Sequence, residues 1–328
     1  MKCLRLGTRG MLSALIALLL IAAPAGAAQK VKLAQNASPI SGVTMVAKDQ
    51  GFFEDHGLDV EILGFTSGRA SLESVMGGGA DIATTAEAPT SAAAMAKQPI
   101  AFLARTQYSD LKTLTAAKSG ISTLEDLEGK RIAYTSGTGG EVYTMKLLEK
   151  AGLTPEDVQL VNLRPQDMLS AMASNSIDAF NTWEPHVANA KRTMGDGVAQ
   201  LDTAGIYAET FNIVVMQDFL SENEGVVNSF MKALIDAEAW IKANREEAIL
   251  VISKAAGMPS ADLAAIFDDY VYHVTLDQMT MDILDAHAKW RLESGNHPSG
   301  AKMPDFSQYI FPEPLRSAAP ERIQAAGF

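Results

Sequence analysis

The stretch 131-RIAYTSGTGGEVYTMKLLEKAGL-153 decides the fold. Ile132, Ala133 and Tyr134 form a short apolar run that enters a Ser-Gly-Thr-Gly-Gly turn. Val142, Met145 and Leu148 then recur every three residues, and Gly152 stands where a helix C-cap belongs. The pattern predicts strand, glycine turn and helix over Gly140 to Lys150, a geometry that aims free backbone N–H groups at a ligand. Glu141 sits at the mouth of that turn, where its carboxylate repels an anion.

The same unit recurs on both sides. Upstream, Val31 to Ala34, Leu58 to Leu63 and Asp81 to Ala83 read as strands. They alternate with helical segments at Val43 to Gln50, Ser71 to Met76 and Pro89 to Lys97. Gly77-Gly78-Gly79 reads as a C-cap and turn, not a phosphate loop, since strand residues follow it. Downstream, Leu160 to Leu163 and Ile177 to Phe180 read as strands, with a helix over Asp167 to Ala173 between them. Ile213 to Met216 is a further strand, and the chain from Glu224 is mainly helical. Pro298 to Pro320 is irregular and polar, as a segment wrapping back over a domain would be. The rhythm predicts two α/β lobes, each a mostly parallel sheet flanked by helices. The expected division is residues 28–115 for the first lobe, 116–212 for the second, and 213–328 for the return to the first. The two crossings form a two-stranded hinge near Thr113 to Lys118 and Asn212 to Met216.

Residues 1–27 read as a signal peptide. Lys2, Arg5 and Arg9 precede an apolar run from Met11 to Ala23, and Ala25-Gly26-Ala27 supplies the small residues of a cleavage site. The apolar run, about 13 residues, is shorter than the roughly 20 that span a bilayer. The only cysteine, Cys3, falls in this leader, so the exported chain has no thiol for a disulfide or thiolate metal site. Of 27 basic residues three lie in the leader, against 39 acidic ones, which leaves a charge of about −15. That balance speaks against nucleic acid and against an anionic membrane surface.

Catalytic constellations are thin. His56, His186, His273, His287 and His297 form no H-x₃-H or H-E-x-x-H pair, so no metal site is expected. There is no G-x-S-x-G elbow. The turn Gly137-Thr138-Gly139-Gly140 fails both nucleotide fingerprints: Val142 stands where a dinucleotide loop wants its third glycine, and no Gly-Lys pair follows. No cofactor is expected.

Four motifs in order carry a resemblance. They are Gln50-Gly51-Phe52-Phe53 with Gly57-Leu58-Asp59-Val60-Glu61, then Gly79-Ala80-Asp81-Ile82-Ala83. Leu124-Glu125-Asp126-Leu127-Glu128-Gly129-Lys130-Arg131 follows, and last Ile177-Asp178-Ala179 with Trp183-Glu184-Pro185. Together, from about Val31 to Gln217, they resemble the solute-binding proteins of the nitrate/sulfonate/taurine ABC importers. The resemblance implies the two-lobe periplasmic-binding-protein fold of type II, a periplasmic location and no enzymatic activity. It also implies hinge closure on a small molecule and docking on an ABC permease with its ATPase. A monomer suits such a receptor. A periplasmic sensor, or an enzyme of thiamin-precursor biosynthesis with a related fold, are the alternatives, the latter relying on a cysteine-rich motif absent here.

In open α/β sheets ligands sit beyond the carboxyl ends of the strands. The residues there are Asn36, Ser38, Ser67, Thr85, Glu87, Ser136, Thr138, Gly139, Glu141, Trp183 and Glu184, with Tyr108 as a further aromatic wall. One helix N-terminus is worth about 0.3–1 kcal/mol to an anion, against the roughly 8 kcal/mol of micromolar capture. Closure must add sheltered hydrogen bonds and apolar packing, for which Trp183 and Tyr108 are candidates. Each residue also has a structural reading. Trp183 could be core, Glu87 could complete a capping box with Thr84, and Glu141 could complement a helix dipole. Arg69, Arg105 and Arg164 could be positive partners or surface charges. Three acids near one cleft make a bare oxyanion an expensive guest. They favour a zwitterion of the aminosulfonate type or an amine-bearing heterocycle; a pyrimidine-type vitamin precursor or a simple oxyanion is the alternative solute.

Overall fold

A computed structural model describes Met1 and residues 28–327. The signal-peptide reading and Cys3 lie outside those residues. Eleven strands are described: β1 Gln29–Asn36, β2 Leu58–Phe65, β3 Ile82–Ala86, β4 Ile100–Asp110, β5 Lys112–Ala116, β6 Arg131–Tyr134, β7 Gln159–Asn162, β8 Ala179–Thr182, β9 Val198–Leu201, β10 Ala208–Met216 and β11 Val271–Thr275. They build a six-stranded sheet of order β11-β4-β10-β3-β1-β2 and a five-stranded sheet of order β7-β6-β8-β5-β9. This is the two-lobe α/β architecture expected from the alternation of strand and helix patterns.

Each sheet has a parallel half built from β-α-β units: β2, β1 and β3 in the first, β7, β6 and β8 in the second. The other half of each is antiparallel. The sheets are therefore mixed where the sequence rhythm pointed to mostly parallel ones. The reason is the crossings. A strand that leaves one sheet to enter the other is not followed by a helical crossover, so it and its returning neighbour run in opposite senses. The chain leaves the first sheet at Asp110 and enters the second at Lys112; it returns between Leu201 and Ala208. Both passages come a few residues earlier in the chain than the sequence boundaries at 115/116 and 212/213. They lie side by side, with the Gly205 N–H donating to the Asp110 carboxylate at 3.4 Å.

The first lobe's core lies between its sheet and the helix Glu224–Ala243, whose Val227, Phe230, Met231, Leu234 and Ala237 form one buried stripe. Phe230 stacks on Phe53 with ring centroids 5.0 Å apart. The polar segment after Pro298 returns to β4, where the Phe102 N–H donates to the Tyr309 carbonyl and the Phe311 N–H to the Phe102 carbonyl. The second lobe packs Leu147 and Leu148 of helix Gly139–Ala151 with Ile132 on one face, and Met168, Met172 and Val187 with Phe180 on the other. Among the described residues no helix is long and apolar enough to cross a membrane.

Candidate functional site

The carboxyl ends of both parallel halves point toward the passage between the lobes. Helix Gly139–Ala151 begins there, and its first turn carries the answer to the glycine run. Thr138 caps it, its hydroxyl accepting from the Gly140 N–H at 3.1 Å and donating to the Thr135 carbonyl at 2.7 Å. The carboxylate of Glu141 turns back onto the Gly137 N–H at 2.8 Å and the Ser136 hydroxyl at 3.3 Å. Across the passage, Glu209 of β10 reaches Gly139, whose N–H donates to it. A Cβ on Gly139 would collide with that carboxylate, and one on Gly140 would sit 3.6 Å from the Trp183 indole. Gly139 thus allows the close approach of Glu209, whereas a Cβ on Gly140 would make only ordinary contact with Trp183, and the anions at this helix end belong to the protein itself.

Glu87 opens helix Glu87–Met95 but does not pair with Thr84 in a capping box. Thr84 instead accepts the Asn36 N–H at 3.0 Å and meets Ser41 at 3.1 Å. The Glu87 carboxylate is 1% exposed and accepts from the Tyr207 hydroxyl and from the Thr210 N–H and hydroxyl, both at 2.7 Å. Tyr207 also meets His287 Nε2 at 3.2 Å. Burial pushes His287 down to about 3, so it stands in this network as a neutral ring. Burial raises the Glu87 carboxyl, partly offset by its three donors. Glu209 is 4% exposed and has only the Gly139 N–H; burial and the nearby Glu87 charge put it well above the carboxylate range. No basic side chain among the described residues pairs with Glu209.

A small closed cavity of about 10 Å³, enough for one water, lies between Ser38, Asp110, Trp183, Glu184, Asp269 and Tyr270. The Ser38 hydroxyl donates across it to the Glu184 carbonyl at 2.7 Å. The Glu184 carboxylate caps the next helix by accepting the Ala188 N–H at 2.8 Å, and burial raises it. Burial raises Tyr270 as well, with the fields of Glu184 and Glu209 adding to it. Phe211, two residues after Glu209, packs with Ile40, Ala86 and Tyr270.

Of the expected site residues, Ser38, Trp183 and Glu184 line this small cavity, and Ser136 and Glu141 line a separate space. Thr138 and Gly139 open the helix that Glu209 reaches, and Glu87 lies in the buried network with Tyr207 and Thr210. Thr85 is fully buried in register with Asn212, and its hydroxyl and the Asn212 side-chain carbonyl have no partner among the described residues. Asn36 is buried one strand over, at the end of β1. Ser67 caps helix Gly68–Met76, accepting from the Ala70 N–H at 3.2 Å. Tyr108 lies 5.2 Å beneath the Arg105 guanidinium, which pairs with Asp277, and lines neither space. Arg164 is an exposed partner of Asp167. The sequence reading missed Glu209, Tyr207, Thr210, Tyr270 and His287.

The pattern of the family described as NMT1/THI5 like matches residues 39–248. The chain is 29% identical to the taurine-binding periplasmic protein of Escherichia coli over 281 residues, 80% of this chain and 85% of that one. Its fold superposes on the crystal structure of the periplasmic aliphatic sulphonate binding protein SsuA from Escherichia coli with a TM-score of 0.73 at 21% identity. That match covers 86% of this chain and 97% of the other. The periplasmic nitrate-binding protein NrtA from Synechocystis PCC 6803 matches with a TM-score of 0.72 at 17% identity over 89% of each chain. At these identities the two crystal structures speak for the fold.

Proposed function

The chain belongs to the NMT1/THI5-like family, and from that premise we propose that it is the exported solute-binding component of an ABC importer. In this reading it works in the periplasm, without catalysis, closing its lobes on one small polar molecule and presenting the closed shape to a permease with its ATPase. The taurine-binding relative supports that class of role. The solute we infer carries a cationic or amine group, as an aminosulfonate zwitterion or an amine-bearing heterocycle does.

One observation carries the choice of solute: the buried Glu209 carboxylate has a single backbone donor and no basic partner. An ionised carboxylate taken out of water is costly unless it is paired. An ammonium or amidine-like group entering beside it supplies the missing cation; Tyr270, which feels the fields of both Glu209 and Glu184, lines the neighbouring small cavity with Trp183. A bare oxyanion such as nitrate gains little, because the Gly137 and Gly139 N–H groups are already given to Glu141 and Glu209. The closed cavity holds about one water, so any such solute enters with the lobes parted.

Native mass spectrometry of the purified chain, followed by a thermal-shift panel, tests this reading. Aminosulfonates or aminopyrimidines are expected to raise Tm, and Glu209→Gln is expected to abolish the response. A rise in Tm with nitrate or bicarbonate alone would overturn the choice of solute.

A further inference from the structure

Beside the central cleft lies a second space of about 350 Å³ walled by both lobes. Arg69, on helix Gly68–Met76, and Arg291, on helix Gln278–Ser294, face it from the first lobe; Ser136, Gly137 and Glu141 face it from the second. Arg291 is 5% exposed. A guanidinium so sheltered normally pairs with a carboxylate. This one forms no ion pair with any described residue. It donates to the Asn296 carbonyl at 3.2 Å and the Ala88 carbonyl at 3.4 Å, and its Nε has no partner. The acids nearby are engaged elsewhere: Glu73 with Arg69 Nε at 2.7 Å, Glu141 with the Gly137 N–H and the Ser136 hydroxyl. Arg69 extends across the gap, donating to the Ser136 carbonyl at 3.1 Å. Gly137 makes that approach possible. It stands at φ +75°, and a Cβ there would strike the guanidinium.

We propose that this side pocket binds an oxyanion group, a sulfate, sulfonate or carboxylate, with Arg291 and Arg69 as its charged donors. The proposal rests on the reading of the two lobes as a clasp and deepens it. Because the walls come from both lobes, an anion bound here favours closure, and closure in turn favours the anion. The volume is in the range of small-molecule sites. The group has two sources: an inorganic anion bound alongside the solute, or the acidic end of the solute itself.

Calorimetry of sulfate titrated into the full chain in Tris–chloride, a buffer free of sulfonates, is the test. Saturable binding is expected, weakened about tenfold or more in Arg291→Met and in Arg69→Gln, as loss of a charge-assisted hydrogen bond implies. Arg69 is half-exposed, so its variant keeps the fold and stays informative if the buried replacement does not. Sulfate that fails to bind, or that binds both variants as well as the wild type, overturns the proposal. Taurine as a second probe separates the sources, each outcome supporting the pocket: mutual exclusion assigns it to the solute's acidic end, mutual enhancement to a separate anion. If taurine raises Tm while sulfate is silent, the side pocket fails and the clasp stands. If sulfate binds through the arginines while no solute raises Tm, the pocket stands and the reading of the cleft fails.

Discussion

Glu87 and Glu209 are both buried, and they differ in what each holds. Glu87 collects three donors, so its charge is spread over a built network; Glu209 has one. Both carboxyls are raised above their ordinary 4.5, Glu209 well above, by burial first. The folded chain therefore keeps protons that the unfolded chain has released. By linkage this stability is full below about 4.5 and is lost as pH rises through the raised values. Asp178, held low by its hydrogen bonds from Arg131, acts in the opposite sense and loses its contribution as pH falls below its ordinary 3.8. Tm is thus expected to decline from near pH 6.5 toward pH 8; below 6.5 the buried neutral His287 opposes any gain, because the unfolded ring takes up a proton that the folded one refuses. Glu209→Gln should flatten that decline and gain on the order of 1 kcal/mol at pH 8, because the amide spares the folded chain the cost of holding that proton. Parallel pH profiles for variant and wild type would count against the assignment. Nothing in the residue order announces Glu209, because a charge at a strand start reads as solvated edge. His287 left a fainter signal, lying one turn from Leu284 and Arg291 on a helix face that proves to be buried.

The helix Gly139–Ala151 shows how one element joins the site to the crossings. Its first turn meets Glu209, and one turn on Tyr143 ties both passages together, its hydroxyl 2.7 Å from both the Thr113 and the Thr203 hydroxyls. Tyr143→Phe is expected to cost about 1 kcal/mol in denaturant unfolding, the ordinary worth of a buried hydrogen bond; no change in the midpoint would show that the tie is idle. Gly139→Ala drives a methyl into the Glu209 carboxylate. It is expected to weaken solute binding about fivefold or more through a strain of about 1–3 kcal/mol, while the circular dichroism stays native. Unchanged affinity would mean the two groups never meet in the bound state. This strand-turn-helix was legible because its apolar spacing is regular; helix Gly140 to Lys150 was expected and Gly139–Ala151 is found. β10 was legible only from Ile213 onward, although it begins at Ala208. Glu209, Thr210 and Asn212 interrupt the apolar run; Thr210 bonds the Glu87 carboxylate and Asn212 the Thr85 carbonyl. β4 went unread for a like reason, with Arg105, Thr106 and Gln107 breaking its second half.

At the scale of the whole molecule, the lobes meet through the buried Ser38–Glu184 bond and through ion pairs nearer the surface. Lys112 pairs with Asp269 at 2.8 Å and Arg192 with Asp262, all of them partly exposed. Such pairs contribute about 0–1 kcal/mol each. Closure without a guest also leaves Glu209 uncompensated. On the proposed reading, a guest that binds only the closed form moves the population by its differential affinity. Small-angle scattering is expected to show a smaller radius of gyration with the solute than without it; identical curves would remove the clasp. The mixed sheets set this geometry and were not visible in the rhythm of strand and helix patterns, which says nothing of strand direction; the crossings were expected, a few residues later in the chain than they fall. The most direct measurement is calorimetry of the purified chain against taurine and nitrate in parallel, at neutral pH and low salt. Saturable heat with taurine, absent with nitrate and lost in Glu209→Gln, is the expected result. Tight nitrate binding with taurine silent would contradict the account.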